Sequence, residues 1–270
     1  MRILYFDRST GYIHPPTIPD ANGKTVCGEA LKALGQKMGF EVDCTKESAV
    51  FEGDLSQYDA FIFYTCGNLD EKGPADGSAG MSEKGIFNFY NAIRTGAGFI
   101  GIHSAADTWK TPGPGFENQP VSARTGYVNM LGGQFIVHGA QQKTTLKVVD
   151  KSLPFLATKG DSFEYFDEWY TLKNFNPDIH VLLVQETAGM NIDGGNKCYD
   201  RPAYPATWVR QEGKGRVAYT SFGHNNSSFW DETVEGVMSD LIKLVTKQID
   251  IDMTPNMGQV APGAEKLQNH

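Results

Sequence analysis

The sequence predicts an α/β fold with a mainly parallel central sheet and antiparallel additions. Along the first half of its 270 residues, short apolar runs alternate with amphipathic helical patterns, which is typical of strands joined by crossover helices. The second half has strand-like segments separated by Pro- and Asn-rich turns, which indicate antiparallel strands. Because no repeat or linker divides the chain, we expect one domain over residues 1–250, followed by a C-terminal arm or disordered tail over residues 251–270.

Four strands are predicted in the first half, each as a short run rich in apolar residues. They are residues 3–6, 41–44, 60–64 and 98–102. The third is apolar throughout, as a strand covered on both faces requires. Two helices are predicted from apolar residues at helical spacing, and they end at Gly39 and Gly96. The apolar positions are Cys27, Ala30, Leu31, Leu34 and Met38 in the first helix and Ile86, Phe89, Tyr90 and Ile93 in the second.

The second half of the sequence predicts further strands and a closing helix. The strands are residues 146–148, 165–172 and 181–184, and residues 208–210 and 216–219 form a hairpin around 211–215. The closing helix carries Val234, Val237, Met238, Leu241, Leu244 and Val245 on one face. A glycine-rich loop at residues 67–80 is interpreted either as a lid over a ligand site or as a simple insertion.

The stretch 98–107 is the most informative for function. Its apolar run ends at His103, which is followed by small residues and Asp107, and this order predicts a strand, a sharp turn and the start of a helix. Such a turn raises one side chain above the carboxyl edge of a parallel sheet, where ligands bind. Residues 96–101 also match a dinucleotide-binding fingerprint, but they follow a helix and enter a strand. No nucleotide cofactor is therefore expected.

Four histidines share a setting that indicates a common site. His14, His103, His138 and His224 each follow an apolar segment beside a Gly or Pro turn, so they should meet at one edge of the sheet. Imidazole serves as a base, an acid or a metal ligand near neutral pH. Glu168, which precedes two aromatic residues, is the carboxylate that we expect beside them. The remaining histidines, His180 and His270, are interpreted as incidental.

Together these motifs resemble the trehalose-utilisation ThuA-like family of the class I glutamine amidotransferase-like superfamily. The matching motifs are residues 11–14, 101–107, 132–135 with His138, 167–170, 204–208, 213–217 and 223–224. They occur in the expected order over residues 1–247, and the match is weaker at 67–80 and 111–126. The resemblance implies a flavodoxin-like three-layer sandwich with a site above the sheet edge.

The resemblance also implies a role in carbohydrate metabolism, on disaccharides or glycosides that are processed through keto-sugar intermediates. It does not imply glutamine hydrolysis, because a glutaminase needs Cys at the apex of the turn, where this chain has His103. Cys66 is on another loop, and Asn225 and Asn226 follow His224 without the acid of a glutaminase triad. We expect acid–base chemistry by His and Glu on a sugar or keto sugar, and the assistance of a metal is left open. The alternative is an inert sugar-binding or complex-forming subunit.

The candidate site residues fall into three groups that overlap. The catalytic candidates are His103, Glu168 and His224. The substrate-binding candidates are His14, Ser104, Asp107, Trp169 and Tyr170. Three or four of His14, His103, His138, His224 and Glu168 are the candidate ligands of a divalent metal, Zn²⁺ or Mn²⁺.

Composition limits the expected partners and location. The formal net charge of −8 leaves no electrostatic footprint for nucleic acid. We expect no membrane partner, because neither a spanning segment nor a signal peptide is recognisable. The four scattered cysteines are typical of free thiols in a reducing compartment. A cytoplasmic protein that binds a small carbohydrate is therefore expected, and a homo-oligomer is left open.

Overall fold

The structure is a computed structural model that describes residues 1–73, 77–192 and 197–268. Within these residues, eleven strands and six α-helices follow one another along the chain. The strands are β1 (Arg2–Phe6), β2 (Glu41–Thr45), β3 (Ala60–Phe63), β4 (Gly98–Ile102), β5 (Gln134–His138), β6 (Gln142–Val148), β7 (Ser162–Asp167), β8 (Tyr170–Lys173), β9 (His180–Gln185), β10 (Tyr204–Glu212) and β11 (Gly215–Thr220). The helices are α1 (Val26–Met38), α2 (Glu83–Thr95), α3 (Gly126–Leu131), α4 (Pro154–Ala157), α5 (Glu232–Val245) and α6 (Met257–Val260).

The main sheet is parallel on one side and antiparallel on the other. Among the described residues its strand order is β2-β1-β3-β4-β11-β10-β9-β6-β7. Strands β2, β1, β3, β4 and β11 run parallel to one another, whereas β10, β9, β6 and β7 continue the sheet from β11 with antiparallel pairs. The predicted mainly parallel sheet with antiparallel additions is therefore confirmed.

Alternate residues of each strand enter the two apolar layers that cover the sheet. On one face, Ile3 and Tyr5 of β1 pack with α1 and α5. On the other face, Leu4 and Phe6 pack with α2, α3 and a small second sheet formed by β5 and β8. The result is a flavodoxin-like three-layer α/β sandwich, as the sequence predicted.

Helix ends follow the local chemistry of the sequence. Thr25, Ser82 and Asp231 each accept a backbone N–H at the start of α1, α2 and α5, and such caps contribute about 1 kcal/mol each. Gly39 ends α1 with φ at 78°, a conformation that disfavours residues with a Cβ. The predicted elements of the first half are thus confirmed to within the usual uncertainty of element ends.

Two predicted elements differ from the structure. The strand predicted at 165–172 is two strands in different sheets, because β7 ends at Asp167 and β8 begins at Tyr170. The helix predicted after His103 is a 3₁₀ turn over His103–Asp107, which ends where Thr108 pairs with Gly67 in an isolated parallel bridge. The sequence pattern also missed β5 and α3, which are too short to show a clear period.

The loop 67–80 is attached to the rest of the chain in its described part. The buried guanidinium of Arg8 donates to the carbonyl of Leu69 at 2.8 Å and to Ser78 Oγ at 2.8 Å, and Trp109 Nε1 donates to Asp70 Oδ1 at 2.6 Å. Residues 74–76 of this loop lie outside the described residues. The described contacts resemble those of an anchored insertion more than those of a lid.

Residues 251–268 run along the outside of the sheet. Asn256 pairs with the backbone of Val181 on β9, accepting its N–H at 2.7 Å and donating to its carbonyl at 3.1 Å. Arg201 donates to the carbonyl of Ala264 at 2.6 Å. His270 lies outside the described residues. None of the helices described in the structure combines the length and apolar character needed to cross a membrane.

Candidate functional site

Four buried side chains meet at the carboxyl edge of the parallel strands. His14 follows β1, His103 follows β4 and His224 follows β11, so the parallel order of these strands brings all three loops to one edge. Glu168 joins them from the break between β7 and β8. One ligand atom from each of these four residues lies within 4.8 Å of the others.

The three imidazole rings form a nearly equilateral triangle. The ring centroids are 5.0 Å apart for His14 and His103, and 5.4 Å apart for each of the other two pairs. All three side chains are buried. Such a triangle places several imidazole nitrogens around one point, which is the arrangement that a metal ion requires.

His103 is held in an unusual backbone conformation. Its φ is 45°, in the left-handed region that residues other than glycine rarely adopt. The side chain is completely buried, and its Nδ1 lies 2.9 Å from the carbonyl oxygen of Ser221. A carbonyl only accepts hydrogen bonds, so Nδ1 carries a proton and Nε2 is the nitrogen directed toward the cluster. Nε2 lies 3.4 Å from Glu168 Oε2.

His14 is oriented in a similar way by a tyrosine. Its Nε2 lies 3.0 Å from the hydroxyl oxygen of Tyr170. The ring of Tyr170 also packs on the ring of His103, with a centroid distance of 4.0 Å. The other ring nitrogen, Nδ1, is buried and makes no hydrogen bond within the described part of the chain. A polar contact to one nitrogen that leaves the other free is typical of histidines that bind metal.

Glu168 directs its two carboxylate oxygens to different groups. Oε2 lies 3.0 Å from Nδ1 of His224 and 3.4 Å from Nε2 of His103, whereas Oε1 lies 3.2 Å from Nδ1 of His138. Burial by itself would raise the pKa of Glu168, but hydrogen bonding and charge from His103 and His224 outweigh burial and hold that pKa well below its ordinary value. The side chain is therefore a carboxylate at neutral pH.

The donor set fits a divalent transition metal. Buried polar atoms normally have hydrogen-bond partners, yet among the residues described one nitrogen on each of the three rings has either no partner or only the carboxylate of Glu168. These atoms are His14 Nδ1, His103 Nε2 and His224 Nδ1. Three imidazoles and one carboxylate suit Zn²⁺, and the carboxylate also suits Mn²⁺. An ion at this point would satisfy the three nitrogens and the carboxylate together.

Burial gives His14 a pH dependence that can be measured. Burial, together with the neighbouring His103 and His224, lowers the pKa of His14 to about 2. At pH values between about 2 and about 6.5, the ordinary histidine pKa, His14 is therefore protonated in the unfolded chain but neutral in the folded chain. Stability is lost as the pH falls through this window, by about 2 kcal/mol from this group at pH 5.

We therefore expect the His14→Gln variant to lose less stability than the wild type between pH 7 and pH 5. Urea unfolding of the metal-free proteins at the two pH values measures this difference. Protonation of Glu168 lowers stability only below about pH 4.3, the ordinary carboxyl pKa, so it does not affect the comparison between pH 7 and pH 5. His138→Gln, at an exposed position, should keep the wild-type slope. Equal slopes for the wild type and His14→Gln would contradict the prediction.

The other predicted residues take different places around the cluster. The side chain of His138 is 42% exposed and contacts Glu168 from the solvent side. Asp107 forms an ion pair with Lys110 at 2.6 Å and accepts a hydrogen bond from the thiol of Cys66 at 3.2 Å. Ser104 is buried beside His103. Trp169 is buried in the core, where it packs on Phe222 and Tyr165, and it is not brought to the cluster.

Two residues near the cluster were not assigned any role from the sequence. Asp167 is completely buried, and its carboxylate accepts backbone N–H groups from both loops that carry Glu168 and His224. Tyr12 is 63% exposed, and its ring edge contacts His14 at a centroid distance of 4.8 Å. Asp167 belongs to the motif at 167–170, and Tyr12 belongs to the motif at 11–14. Their positions within these motifs were the signal that could have identified them from the sequence.

Comparison with known proteins identifies the family and agrees with the fold. The model of the ThuA family, described as trehalose utilisation, matches residues 2–243. A ThuA-like protein from Bacteroides uniformis has a similar structure with a TM-score of 0.65 and 18% identity, and the match covers 94% of each chain. A ThuA-like protein from Parabacteroides merdae has a TM-score of 0.61 and 15% identity, and the match covers 99% of each chain.

A third similar structure is a protein from Salmonella typhimurium that is described as cytoplasmic. Its TM-score is 0.55 with 12% identity, and the match covers 91% of this chain and 99% of the Salmonella protein. At these identities the solved structures support the fold alone. No curated protein matches this chain by sequence.

Proposed function

This chain belongs to the ThuA family, described as trehalose utilisation, and on that premise we propose that it is an enzyme of carbohydrate metabolism with a divalent-metal centre. The proposed ligands are His14, His103, His224 and Glu168. The proposed substrate is a sugar or keto sugar derived from a disaccharide or glycoside. The proposed metal is Zn²⁺ or Mn²⁺.

One observation carries the proposal. Three buried imidazoles and a buried carboxylate converge, and one ligand atom from each lies within 4.8 Å of the others. Among the described residues, Nδ1 of His14 is buried there without a hydrogen-bond partner, which is unfavourable in a low-dielectric interior. A cation at this point would accept a lone pair from each of the four ligand groups.

The residues suit proton transfer beside a carbonyl group. A bound divalent ion would supply Lewis acidity to a carbonyl or hydroxyl oxygen of the sugar. A keto sugar has acidic protons on the carbons next to its carbonyl, and their removal places negative charge on the carbonyl oxygen. The exposed imidazole of His138 is a group that substrate can reach, and its Nδ1 lies 3.2 Å from Glu168 Oε1.

The proposal excludes glutamine hydrolysis. That reaction needs a cysteine thiolate at the apex of the strand-turn-helix, and the apex here is His103. Burial, with a contribution from Asp107, raises the pKa of Cys66 to about 12, so this nearby thiol remains protonated at neutral pH. We also propose that the protein acts in the cytoplasm on a small carbohydrate, without nucleic-acid or membrane partners.

Metal analysis of the purified protein tests the proposal most directly. We expect stoichiometric divalent metal that a chelator removes, and loss of keto-sugar turnover that added Zn²⁺ or Mn²⁺ restores. Free metal at about 100 times its Kd should add about 2.7 kcal/mol of stability to the metal-free protein. For a chain of this size, that corresponds to a rise in Tm of roughly 5–10 °C.

A matched pair of histidine variants controls for non-specific binding. His224→Gln should lose the metal, whereas His180→Gln should keep it, because His180 is a buried histidine that contacts Asp150 and the carbonyl of Thr254 away from the cluster. Equal metal content in both variants would contradict the assigned ligands. A protein that binds sugar but turns over no keto sugar, with or without metal, would instead be the inert binding subunit.

A further inference from the structure

A buried carboxylate joins the two loops that carry Glu168 and His224. Asp167 Oδ2 accepts the backbone N–H of Gly223 at 2.8 Å. Its Oδ1 accepts the backbone N–H groups of Glu168 at 2.9 Å and of His224 at 3.2 Å. The side chain has no exposed surface, so both oxygens are committed to these three donors. The contacts span more than fifty residues of sequence and connect strands β7 and β11, which are not neighbours in the sheet.

The loop after β11, at residues 223–224, has a constrained backbone conformation. Gly223 has φ at 110°, and a Cβ there would approach the ring of Phe229 at 3.0 Å. Neither a strand nor a helix satisfies the N–H groups of Gly223 and His224, and the loop is buried. Asp167 therefore provides the acceptor for both amides, one of which belongs to His224 itself.

We infer that Asp167 is a positioning residue for the metal centre. By accepting amides from both loops, its carboxylate sets the separation between Glu168 Oε2 and His224 Nδ1, which is 3.0 Å in the structure. Asp167 neither ligates the metal nor touches substrate. The inference rests on the proposed function, because it assigns Asp167 to the alignment of two of the proposed ligands.

Replacing Asp167 by Asn disturbs this alignment without changing side-chain size. An amide keeps one oxygen but presents an NH₂ group at the other position. In one orientation the NH₂ faces the N–H of Gly223, and in the other it faces the N–H groups of Glu168 and His224. Two facing donors repel, so at least one ligand-bearing loop moves. Metal sites tolerate changes in ligand distance of only about 0.2 Å.

Asp240 offers a matched control elsewhere in the chain. It is also buried, and its Oδ2 accepts the backbone N–H groups of Phe155 and Leu156 at 2.9 and 3.2 Å. These amides begin α4, on the face of the sheet that α5 covers, and none of the proposed ligands belongs to that region. Because both amides share one oxygen, Asn could still accept them, so the control replaces Asp240 by Ala. Asp240→Ala removes the acceptor of two buried amides and lowers stability without touching the metal centre.

The test titrates Zn²⁺ into metal-free wild type, Asp167→Asn and Asp240→Ala, with a chromophoric chelator as competitor. We expect the Kd for Zn²⁺ to rise about 10- to 100-fold in Asp167→Asn, the usual effect of losing a group that orients a ligand. Asp240→Ala should bind Zn²⁺ like the wild type while its Tm falls. The loss of affinity is thus separated from a general loss of stability.

Any other result of the Zn²⁺ titration contradicts either the positioning role of Asp167 or the proposed metal centre. Wild-type Zn²⁺ affinity in Asp167→Asn overturns the positioning role alone, whereas a wild type that binds no Zn²⁺ overturns the proposed metal centre and this inference with it. If Asp167→Asn does not fold, amide hydrogen exchange on the wild type decides: the Gly223 and His224 amides should be strongly protected. Exchange there as fast as in exposed loops would overturn the inference.

Discussion

Replacing Glu168 by Gln is expected to lower turnover on a keto sugar by roughly 10²- to 10⁴-fold and to reduce the metal content of the purified protein. The change is nearly isosteric, but it removes the anion that His103 and His224 face at 3.4 and 3.0 Å. It also leaves His138 without a carboxylate partner on its Nδ1 side. Steady-state kinetics and metal analysis on the same preparation measure both effects.

Glu164→Gln is the matched control for this change. Glu164 belongs to the same strand, β7, but its side chain is exposed and faces away from the cluster. This variant should retain wild-type turnover and metal content, because removing an exposed carboxylate changes stability by only a few tenths of a kcal/mol. If Glu168→Gln and Glu164→Gln have the same activity, the role assigned to Glu168 is wrong.

Replacing His103 by Ala is expected to cause a similar loss of turnover, roughly 10²- to 10⁴-fold. The imidazole is fully buried, and Ser221 orients it so that its free nitrogen points toward Glu168. Ala cannot ligate a metal or transfer a proton. Turnover per folded molecule and thermal unfolding should be measured together on this variant.

A companion variant separates chemistry from backbone strain at this position. His103→Asn keeps a polar side chain whose residue type tolerates the positive φ of 45°, but it offers no imidazole nitrogen. We expect its Tm to exceed that of His103→Ala while its turnover is equally low. A purely structural role for His103 gives the opposite pattern, with lowered Tm and full activity per folded molecule.

The sequence by itself determined the fold and most of the cluster. Apolar runs such as 60–64, and apolar residues at helical spacing before Gly39, indicate which residues of an element are buried. This information was enough to predict the strands and helices of the first half. The carboxyl ends of parallel strands lie at one edge of the sheet, where ligands bind. Because His14, His103 and His224 each follow such a strand, the sequence predicted one shared site for them, and the structure brings them together.

Tertiary structure alone decided how those side chains are used. The break between β7 and β8 lets Glu168 enter the cluster, and beside this break Asp167 accepts amides from a loop more than fifty residues away. The exposure of His138 depends on the small second sheet, which the sequence pattern did not reveal. The free nitrogen of His103 depends on the carbonyl of Ser221. Sequence periodicity records only which face of an element is buried, whereas these features arise from contacts between distant segments that pack together only in the folded chain.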